Sequence, residues 1–448
     1  AAEDITAYED KVSNEPLISH EPAGGKVVKV KEAMYGYKQL TLSNGATVYI
    51  KSTDFKANQV LMRAVSKGGQ SLYDASEHIN LSQISDVVDN NGLDKFDNTE
   101  IQKILAGKKA GVKSFVNMYT EGVSGSSTPK DFETLMQLTY LQFTAPREND
   151  KAFATYKNQM RAMLENQEMN PNTALSDTIS RILYGDNLRT QRMKVSDIDK
   201  VDDARILEIY KERFANASDF DFIFTGAIDE AVMVPLIEKY IGSLPTTGAK
   251  AEKFRDVHLD IQKGKHRNIF EKQMATPSAT VFISYSGKAK YTLKNQFLMS
   301  LTKQILNIIY TEEIREKEGG TYGVGVSGSL NDVPKESAAL QIQFQTAPEL
   351  REKLTGMAID LLNKYVEEGP RQQDLDKVRD YMLKKHAENQ KENSYWSGLM
   401  YNYALTGFDS NKNYEKILNG ITTSDLKKFA KNLLKQGNVI EVSMVGVE

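Results

Sequence analysis

The chain has 448 residues, 40% hydrophobic and 26% charged, with a formal net charge of −3. This length predicts two or three domains, and the composition is that of a globular protein rather than a disordered or membrane-spanning one. The lack of cysteine excludes thiolate catalysis, cysteine-ligated zinc and disulfides, and the lack of a basic stripe argues against a nucleic-acid partner.

The amino-terminal segment is predicted to be a linker. The first 30 residues are polar and include Pro16, Pro22 and Gly24-Gly25. Because the chain starts at Ala1 without Met or an apolar signal segment, we expect a processed product or a piece of a longer protein, with residues 1–36 joining it to a preceding half. The longest apolar stretches are far too short for a transmembrane span.

Residues 37–243 are predicted to form a first domain. Its opening hairpin has Asn44-Gly45 at the turn, and Thr128 is expected to cap a helix whose first residue is Pro129. Strands are predicted at 39–51 (the hairpin), 59–66, 111–119, 121–126 and 219–226, and helices at 77–90, 150–168, 172–184, 196–214 and 229–241.

Residues 257–448 are predicted to form a second domain, after a boundary segment over 243–256. Strands are predicted at 266–273, 279–286, 321–330, 337–346 and 439–446, and helices at 292–316, 349–367, 372–392, 394–405 and 423–435. Strands and helices come in blocks rather than in strict alternation, which favours an α+β fold with helices layered on largely antiparallel sheets.

The two predicted domains repeat each other weakly. Four short words recur in the same order at offsets of 219 to 223 residues, at Pro129 and Pro348, Glu165 and Glu388, Gly185 and Gly407, and Gly226 and Gly446. One such match could arise by chance, but four in order indicate a duplicated unit of about 220 residues.

The run from Glu312 to Val324 contains the best candidate site residues. A predicted helix ends around Arg315, Gly319-Gly320 interrupt it, and a strand is predicted to open at Tyr322. A guanidinium and a phenol are both good hydrogen-bond donors to a carbonyl oxygen, and better donors to an oxyanion. Without further information, Arg315 is a surface cation paired with neighbouring glutamates and Tyr322 is one inward-facing strand residue.

This segment resembles the Arg/Tyr substrate-binding element of the pitrilysin/insulysin (inverzincin) family of zinc peptidases. The hairpin at 42–51 and the glycine turn at 66–72 are similar to that family's domain opening, and the words at 105–108 and 141–147 are similar to the third domain of its long bacterial members. The resemblance covers nearly the whole chain from residue 37. It implies two tandem homologous α+β domains, each a mostly antiparallel mixed sheet covered by helices, of the LuxS/processing-peptidase type.

The catalytic signature of the family is where this chain departs. The zinc-bearing half of such enzymes carries His-x-x-Glu-His on a helix, with two imidazole ligands and a glutamate as general base. The nearest counterpart here is Asp74-Ala75-Ser76-Glu77-His78, with Asp in place of the first His. A mixed site using Asp74, Glu77 and His78, with Glu165 or Glu133 as a further ligand, is the weaker alternative to a solvated first helical turn. We expect no zinc in this chain and place that cofactor in a partner half.

The resemblance implies the carboxy-terminal, non-catalytic half of a zinc metalloendopeptidase, a periplasmic or cell-envelope hydrolase. In that reading Arg315 and Tyr322 bind the substrate main chain, and the partners are a zinc-bearing half, in the same polypeptide or a separate subunit, and a peptide or unfolded protein. The alternative is a degenerate family member that acts as a scaffold or assembly subunit. A self-sufficient hydrolase built on Asp74, Glu77 and His78 is a third hypothesis.

Overall fold

A computed structural model describes residues 12–448, so part of the predicted 1–36 linker lies outside the described residues. The chain divides into two compact units. Unit 1 contains residues 12–161, 196–255 and 390–409, and unit 2 contains residues 162–195, 256–389 and 410–448. Each unit therefore includes a segment from the other half of the sequence. The predicted boundaries of the domains, 37–243 and 257–448, stay predictions.

Regular elements cover most of the described chain. The strands are β1 (Val27–Glu32), β2 (Lys38–Leu42), β3 (Thr47–Ser52), β4 (Val60–Lys67), β5 (Ala110–Val116), β6 (Thr120–Ser127), β7 (Asp221–Gly226), β8 (Lys265–Gln273), β9 (Ala279–Gly287), β10 (Val324–Asn331), β11 (Ser337–Thr346) and β12 (Asn438–Val447). The helices are α1 (His78–Asn91), α2 (Asn98–Ile104), α3 (Phe132–Thr144), α4 (Asp150–Met169), α5 (Pro171–Tyr184), α6 (Asp203–Arg213), α7 (Glu230–Tyr240), α8 (Leu293–Tyr310), α9 (Arg351–Glu368), α10 (Gln372–Asn389), α11 (Asn393–Thr406), α12 (Tyr414–Gly420) and α13 (Thr423–Leu434).

The two sheets share one topology. In unit 1 the strand order is β1-β2-β3-β7-β4-β6-β5, and in unit 2 it is β10-β11-β9-β12-β8. The last five strands of the first order, read backwards, correspond to the second order, and in each sheet only one pair is parallel, β3 with β7 and β8 with β12. The predicted fold class, two homologous α+β domains with mostly antiparallel mixed sheets, is confirmed.

Helices cover both faces of the unit 1 sheet. Successive residues of a strand point to opposite faces, and Phe224 packs its ring against Phe132 of α3, with ring centroids 5.8 Å apart. Its neighbour Ile223 lies in a cluster with Trp396 and Met400 of α11 on the opposite face. A helix near the carboxyl terminus of the chain therefore completes the core of the first unit.

The unit 2 sheet has the reciprocal arrangement. Leu175 and Leu183 of α5, which comes from the first half of the sequence, cluster with Phe282 of β9 and Val442 of β12. Helices α9 and α13 also contact β9. Eight of the nine residues of β9 are consequently buried, including the polar Thr280, Ser284 and Ser286.

In each sheet, a helix lies against one edge strand, and a side chain of that helix accepts a hydrogen bond from a backbone amide of the strand. The Val116 amide of β5 donates to Ser85 Oγ of α1 at 3.4 Å, and the Val326 amide of β10 donates to Asn307 Oδ1 of α8 at 3.1 Å. Unpaired edge donors attract foreign strands, so these contacts protect equivalent edges in the two units.

Several sequence predictions are wrong in detail. Thr128 does not cap a helix, because α3 begins at Phe132 and its N-cap residue is Asp131. The helix predicted at 196–214 is a 3₁₀ segment followed by α6. Strand β1 lies inside the predicted linker, and α2 and α12 were missed. Within residues 12–448, no helix combines the length and apolar character that a bilayer span requires.

The role of α11 in the core of unit 1 can be tested by truncating Met400, which is fully buried in its cluster. We expect Met400→Ala to lower the free energy of unfolding by about 3 kcal/mol, because the change leaves a cavity. Trp396, the only tryptophan of the chain, reports urea unfolding by fluorescence. Asn402→Ala, at an exposed position of the same helix, is the control and should change stability by less than about 0.5 kcal/mol.

Candidate functional site

The candidate element begins where α8 passes into one turn of π-helix, Thr311–Glu316. Ile314 is buried and anchors this turn, whereas Arg315 is exposed. The Gly319 amide donates to the Ile314 carbonyl at 3.0 Å, which closes the helical end. The helix predicted at 292–316 is thus confirmed, and its last turn has the wider π geometry that often marks functional sites.

The loop after this turn depends on two glycines. Gly319 and Gly320 have φ values of +69° and +79°, and a Cβ on Gly320 would lie 2.5 Å from Leu350 Cδ1. The Thr346 hydroxyl donates to the Gly320 carbonyl at 2.6 Å and fastens the loop to the end of β11. Left-handed backbone is accessible to glycine without steric penalty, so the chain reverses here before reaching Tyr322.

Tyr322 belongs to this loop and not to a strand. Strand β10 begins at Val324, which pairs with Phe344 of β11, so the predicted strand start at residue 321 is wrong. The Tyr322 side chain is 98% exposed. The interpretation of Tyr322 as an inward-facing strand residue therefore fails.

The glutamates near Arg315 are bound to other cations. Glu312 pairs with Arg371 at 2.8 Å, Glu313 with Lys317 at 2.8 Å and Glu318 with Lys353 at 2.9 Å. Among the described residues, no carboxylate lies within ion-pair distance of Arg315, and neither the Arg315 side chain nor the Tyr322 side chain forms a hydrogen bond to another residue. Both side chains present unused donors to solvent, which is the state that ligand binding requires.

Tyr322 also lines a cleft of about 450 Å³ at one end of the unit 2 sheet. The cleft lies where β9 and β10 begin and β11 ends, and it does not include Arg315. Its other walls include Pro277, Ser278, Gly320, Gln345 and Ala347. Sequence reasoning did not find this cleft, because its walls come from three segments that only the sheet brings together.

The residues of the degenerate zinc motif have structural partners. Asp74 accepts a hydrogen bond from the Ser76 amide at 2.9 Å, and the His78 Nδ1 atom lies 3.1 Å from the Ala75 carbonyl. Both carboxylate oxygens of Glu77 accept from the guanidinium of Arg205, at 2.6 and 3.0 Å.

This arrangement does not fit a zinc ion. The ion pair with Arg205 lowers the pKa of Glu77 and places a positive charge where a cation would have to bind. Within residues 12–448, no group of three histidine, aspartate or glutamate side chains is arranged to hold a metal.

A buried charge cluster lies beside the neighbouring glycine turn. Arg213 Nη1 donates to Glu121 at 2.8 Å and also to Glu252, and the Gly69 amide donates to Glu121 at 3.3 Å. Burial raises the pKa of Glu121 to about 8, against the opposing effect of Arg213. No local pattern marks these residues in the sequence, because they come from a strand, a helix end and the 243–256 segment.

Comparison with known proteins finds a family resemblance. Residues 200–382 match the model of the peptidase M16 inactive domain. This part of the chain is similar to the inactive domain of M16 peptidases. The predicted resemblance to this family of zinc peptidases is confirmed, and the match supports placing the zinc in a partner half rather than in this chain.

Individual M16 relatives are longer than this chain. It is 24% identical over 410 residues to the "Zinc protease PQQL-like" of Arabidopsis thaliana, an alignment covering 88% of the chain and 40% of that protein. The crystal structure of the periplasmic protease PqqL from Escherichia coli superimposes with a TM-score of 0.84 and 19% identity, covering 99% of this chain and 49% of PqqL. The chain therefore spans about half the length of these M16 relatives.

The first half of PqqL has the same fold as well. The crystal structure of that half alone matches with a TM-score of 0.73 and 14% identity, covering 93% of each chain. At least the first half of PqqL therefore has the fold of this chain. At these identities the two structural matches establish the M16 fold and not a shared substrate.

The tether between Thr346 and Gly320 can be tested with two substitutions. Thr346→Val keeps the shape but removes the donor, so we expect a loss of about 1 kcal/mol in unfolding free energy and faster amide hydrogen exchange over residues 319–323. Thr346→Ser keeps the hydroxyl and serves as the control. Equal exchange rates in the two variants would show that the bond does not hold the loop.

The buried Glu121 carboxyl predicts a pH dependence of stability. Its pKa is raised in the folded state, so its contribution is fully present below the unfolded value near 4.5 and is lost as pH rises to about 8. Because Glu121→Gln cannot ionise, we expect its unfolding free energy relative to wild type to rise by roughly 2–4 kcal/mol between pH 5 and pH 8.5 in urea titrations. Glu316→Gln, at an exposed position, is the matched control. The raised pKa of Glu121 would be contradicted if the difference in unfolding free energy between Glu121→Gln and wild type shrinks or stays constant as the pH rises.

Proposed function

We propose that this chain is the non-catalytic, carboxy-terminal half of a zinc metalloendopeptidase, where it forms a chamber wall and binds the substrate backbone opposite a zinc-bearing half. The observation that carries this proposal is the pair of unused donors on Arg315 and Tyr322 in a chain with the M16 inactive domain. The zinc-bearing half, in the same polypeptide or a separate subunit, supplies the metal and the general base.

In this proposal Arg315 and Tyr322 act on a substrate carbonyl near the scissile bond. The guanidinium and the phenol donate hydrogen bonds to main-chain oxygen and fix the position of the peptide. When the carbonyl is attacked, negative charge develops on its oxygen, and donors already aimed at that atom stabilise the transition state more than the ground state. Main-chain recognition of this kind suits peptides and unfolded protein segments of varied sequence.

The surrounding ion pairs support this role. Because Glu312, Glu313 and Glu318 are engaged by Arg371, Lys317 and Lys353, the charge of Arg315 is not cancelled by a bound carboxylate. If Arg315 were paired with a carboxylate, that ion pair would have to break before the guanidinium could bind substrate. The Escherichia coli relative is named a periplasmic protease. As part of the proposal, we place this chain in the periplasm or the cell envelope as well.

The proposal is tested by combining this chain with the zinc-bearing half encoded with it and measuring cleavage of an unfolded protein. We expect Arg315→Ala and Tyr322→Phe each to lower kcat/KM by about 100-fold, mainly through kcat, because the lost donor acts chiefly in the transition state. The chain alone should cleave nothing.

Matched controls are available in unit 2. Lys384→Ala removes an exposed cation of α10, and Tyr381→Phe removes the hydroxyl of a tyrosine that is 58% exposed. Both controls should retain kcat/KM within about twofold. Equal rates for Arg315→Ala, Tyr322→Phe and wild type would reject the assigned roles and favour the scaffold function.

A further inference from the structure

The cleft beside Tyr322 has the chemistry of a side-chain subsite. We propose that it receives one uncharged substrate side chain, from the residue adjacent to the carbonyl that Arg315 and Tyr322 bind. This inference rests on the proposed function and adds a substrate preference to it. The preference follows from three features of the cleft. Its lining residues are uncharged, most of its polar side chains are already hydrogen-bonded, and Tyr322 forms part of its wall.

The backbone around the cleft is held in place by hydrogen bonds. Thr346, at the end of β11, pairs with Ala279 at the start of β9, and Val324 at the start of β10 pairs with Phe344. The loop that carries Tyr322 is fastened to the same strand end by the hydrogen bond from Thr346 to Gly320. The walls therefore belong to hydrogen-bonded strand ends and a tethered loop, which give the cleft a preformed shape.

None of the lining residues has a charged side chain. Apart from Tyr322, the polar side chains of the lining already have partners. Gln345 Nε2 donates to Ser278 Oγ at 2.9 Å, and the Thr321 hydroxyl donates to the Gly323 carbonyl at 3.1 Å. The apolar groups in the lining are the Pro277 ring, the Ala347 methyl group and the Tyr322 ring. A charged side chain entering this cleft would lose hydration without gaining a counter-ion.

Tyr322 links this cleft to main-chain binding. Its ring forms part of the cleft wall, and its hydroxyl is the donor assigned to the substrate carbonyl. A peptide held by that hydroxyl has an adjacent side chain within reach of the wall. The cleft volume of about 450 Å³ is within the range of roughly 300–1,000 Å³ typical of ligand pockets, so large apolar side chains fit as well as small ones.

The absence of cysteine makes a direct test straightforward. Ala347→Cys introduces a single thiol into the cleft, at a residue with extended backbone (φ −67°, ψ 145°) that accepts any side chain. The full protein, with its zinc removed by chelation and any cysteine of the zinc-bearing half replaced by serine, is mixed with a substrate peptide series carrying an activated disulfide at each position in turn. We expect one position to form the mixed disulfide at least tenfold faster than the others. Ser424→Cys, exposed and outside the cleft, should show no preferred position.

A charge swap then measures the preference. Asp and Asn have nearly the same size and are both favourable at an N-cap, the place that Ala347 takes before Pro348–Leu350. The rates to compare are those for peptides with Lys or Leu at the position found by cross-linking. We expect the ratio of kcat/KM for Lys over Leu to be about tenfold higher in Ala347→Asp than in Ala347→Asn.

Cross-linking without positional preference, or equal Lys/Leu ratios in the two variants, would overturn the subsite. These results are separable from failure of the proposed function. If Arg315→Ala and Tyr322→Phe lower kcat/KM but the ratio does not move, only the subsite is wrong. If one position cross-links and the ratio moves while those two variants keep full activity, the cleft binds substrate and the transition-state role is wrong.

Discussion

The rest of the structure depends on one constraint: each sheet has one face that must be covered by a helix from the other half of the sequence. Strand β9 is buried along nearly its whole length, and one of its faces is covered by α5, which lies about 100 residues earlier in the chain. Helix α11 covers the equivalent face of the first sheet. Exposed apolar area costs about 25 cal/mol per Å², so neither half of the sequence completes a core alone.

The candidate site lies at the end of the second sheet where β11 ends. Thr346, 5% exposed, fastens the loop of Gly320 and Tyr322 to the strands, so an exposed phenol is presented from a fixed place. On the other side of the glycines, Ile314 anchors the π-turn that carries Arg315. Exposed side chains on anchored backbone lose little backbone entropy when they bind a ligand, and this favours both as binding groups.

Local patterns predicted the strands and helices where the pattern itself decides the structure. The 3.6-residue periodicity of α8 and the alternation in β11 predicted both elements to within a few residues. Helix α2 was missed although Asp97 and Glu100 form a capping box, a signal present in the sequence. Thr128 was wrongly assigned as a cap because its hydroxyl accepts from the Asp131 amide within a turn that precedes α3.

By itself the sequence determined the α+β class, the duplication, the family resemblance and the two donors at a helix-to-loop break. These follow from spacing and residue type, which act over a few residues or recur along the chain. Only the tertiary structure decided that Tyr322 is exposed, that Glu312, Glu313 and Glu318 bind cations other than Arg315, and that Pro277, Gln345 and Ala347 share a cleft. Charge pairing and cleft walls depend on residues far apart in sequence, and their proximity exists only once the sheets have formed.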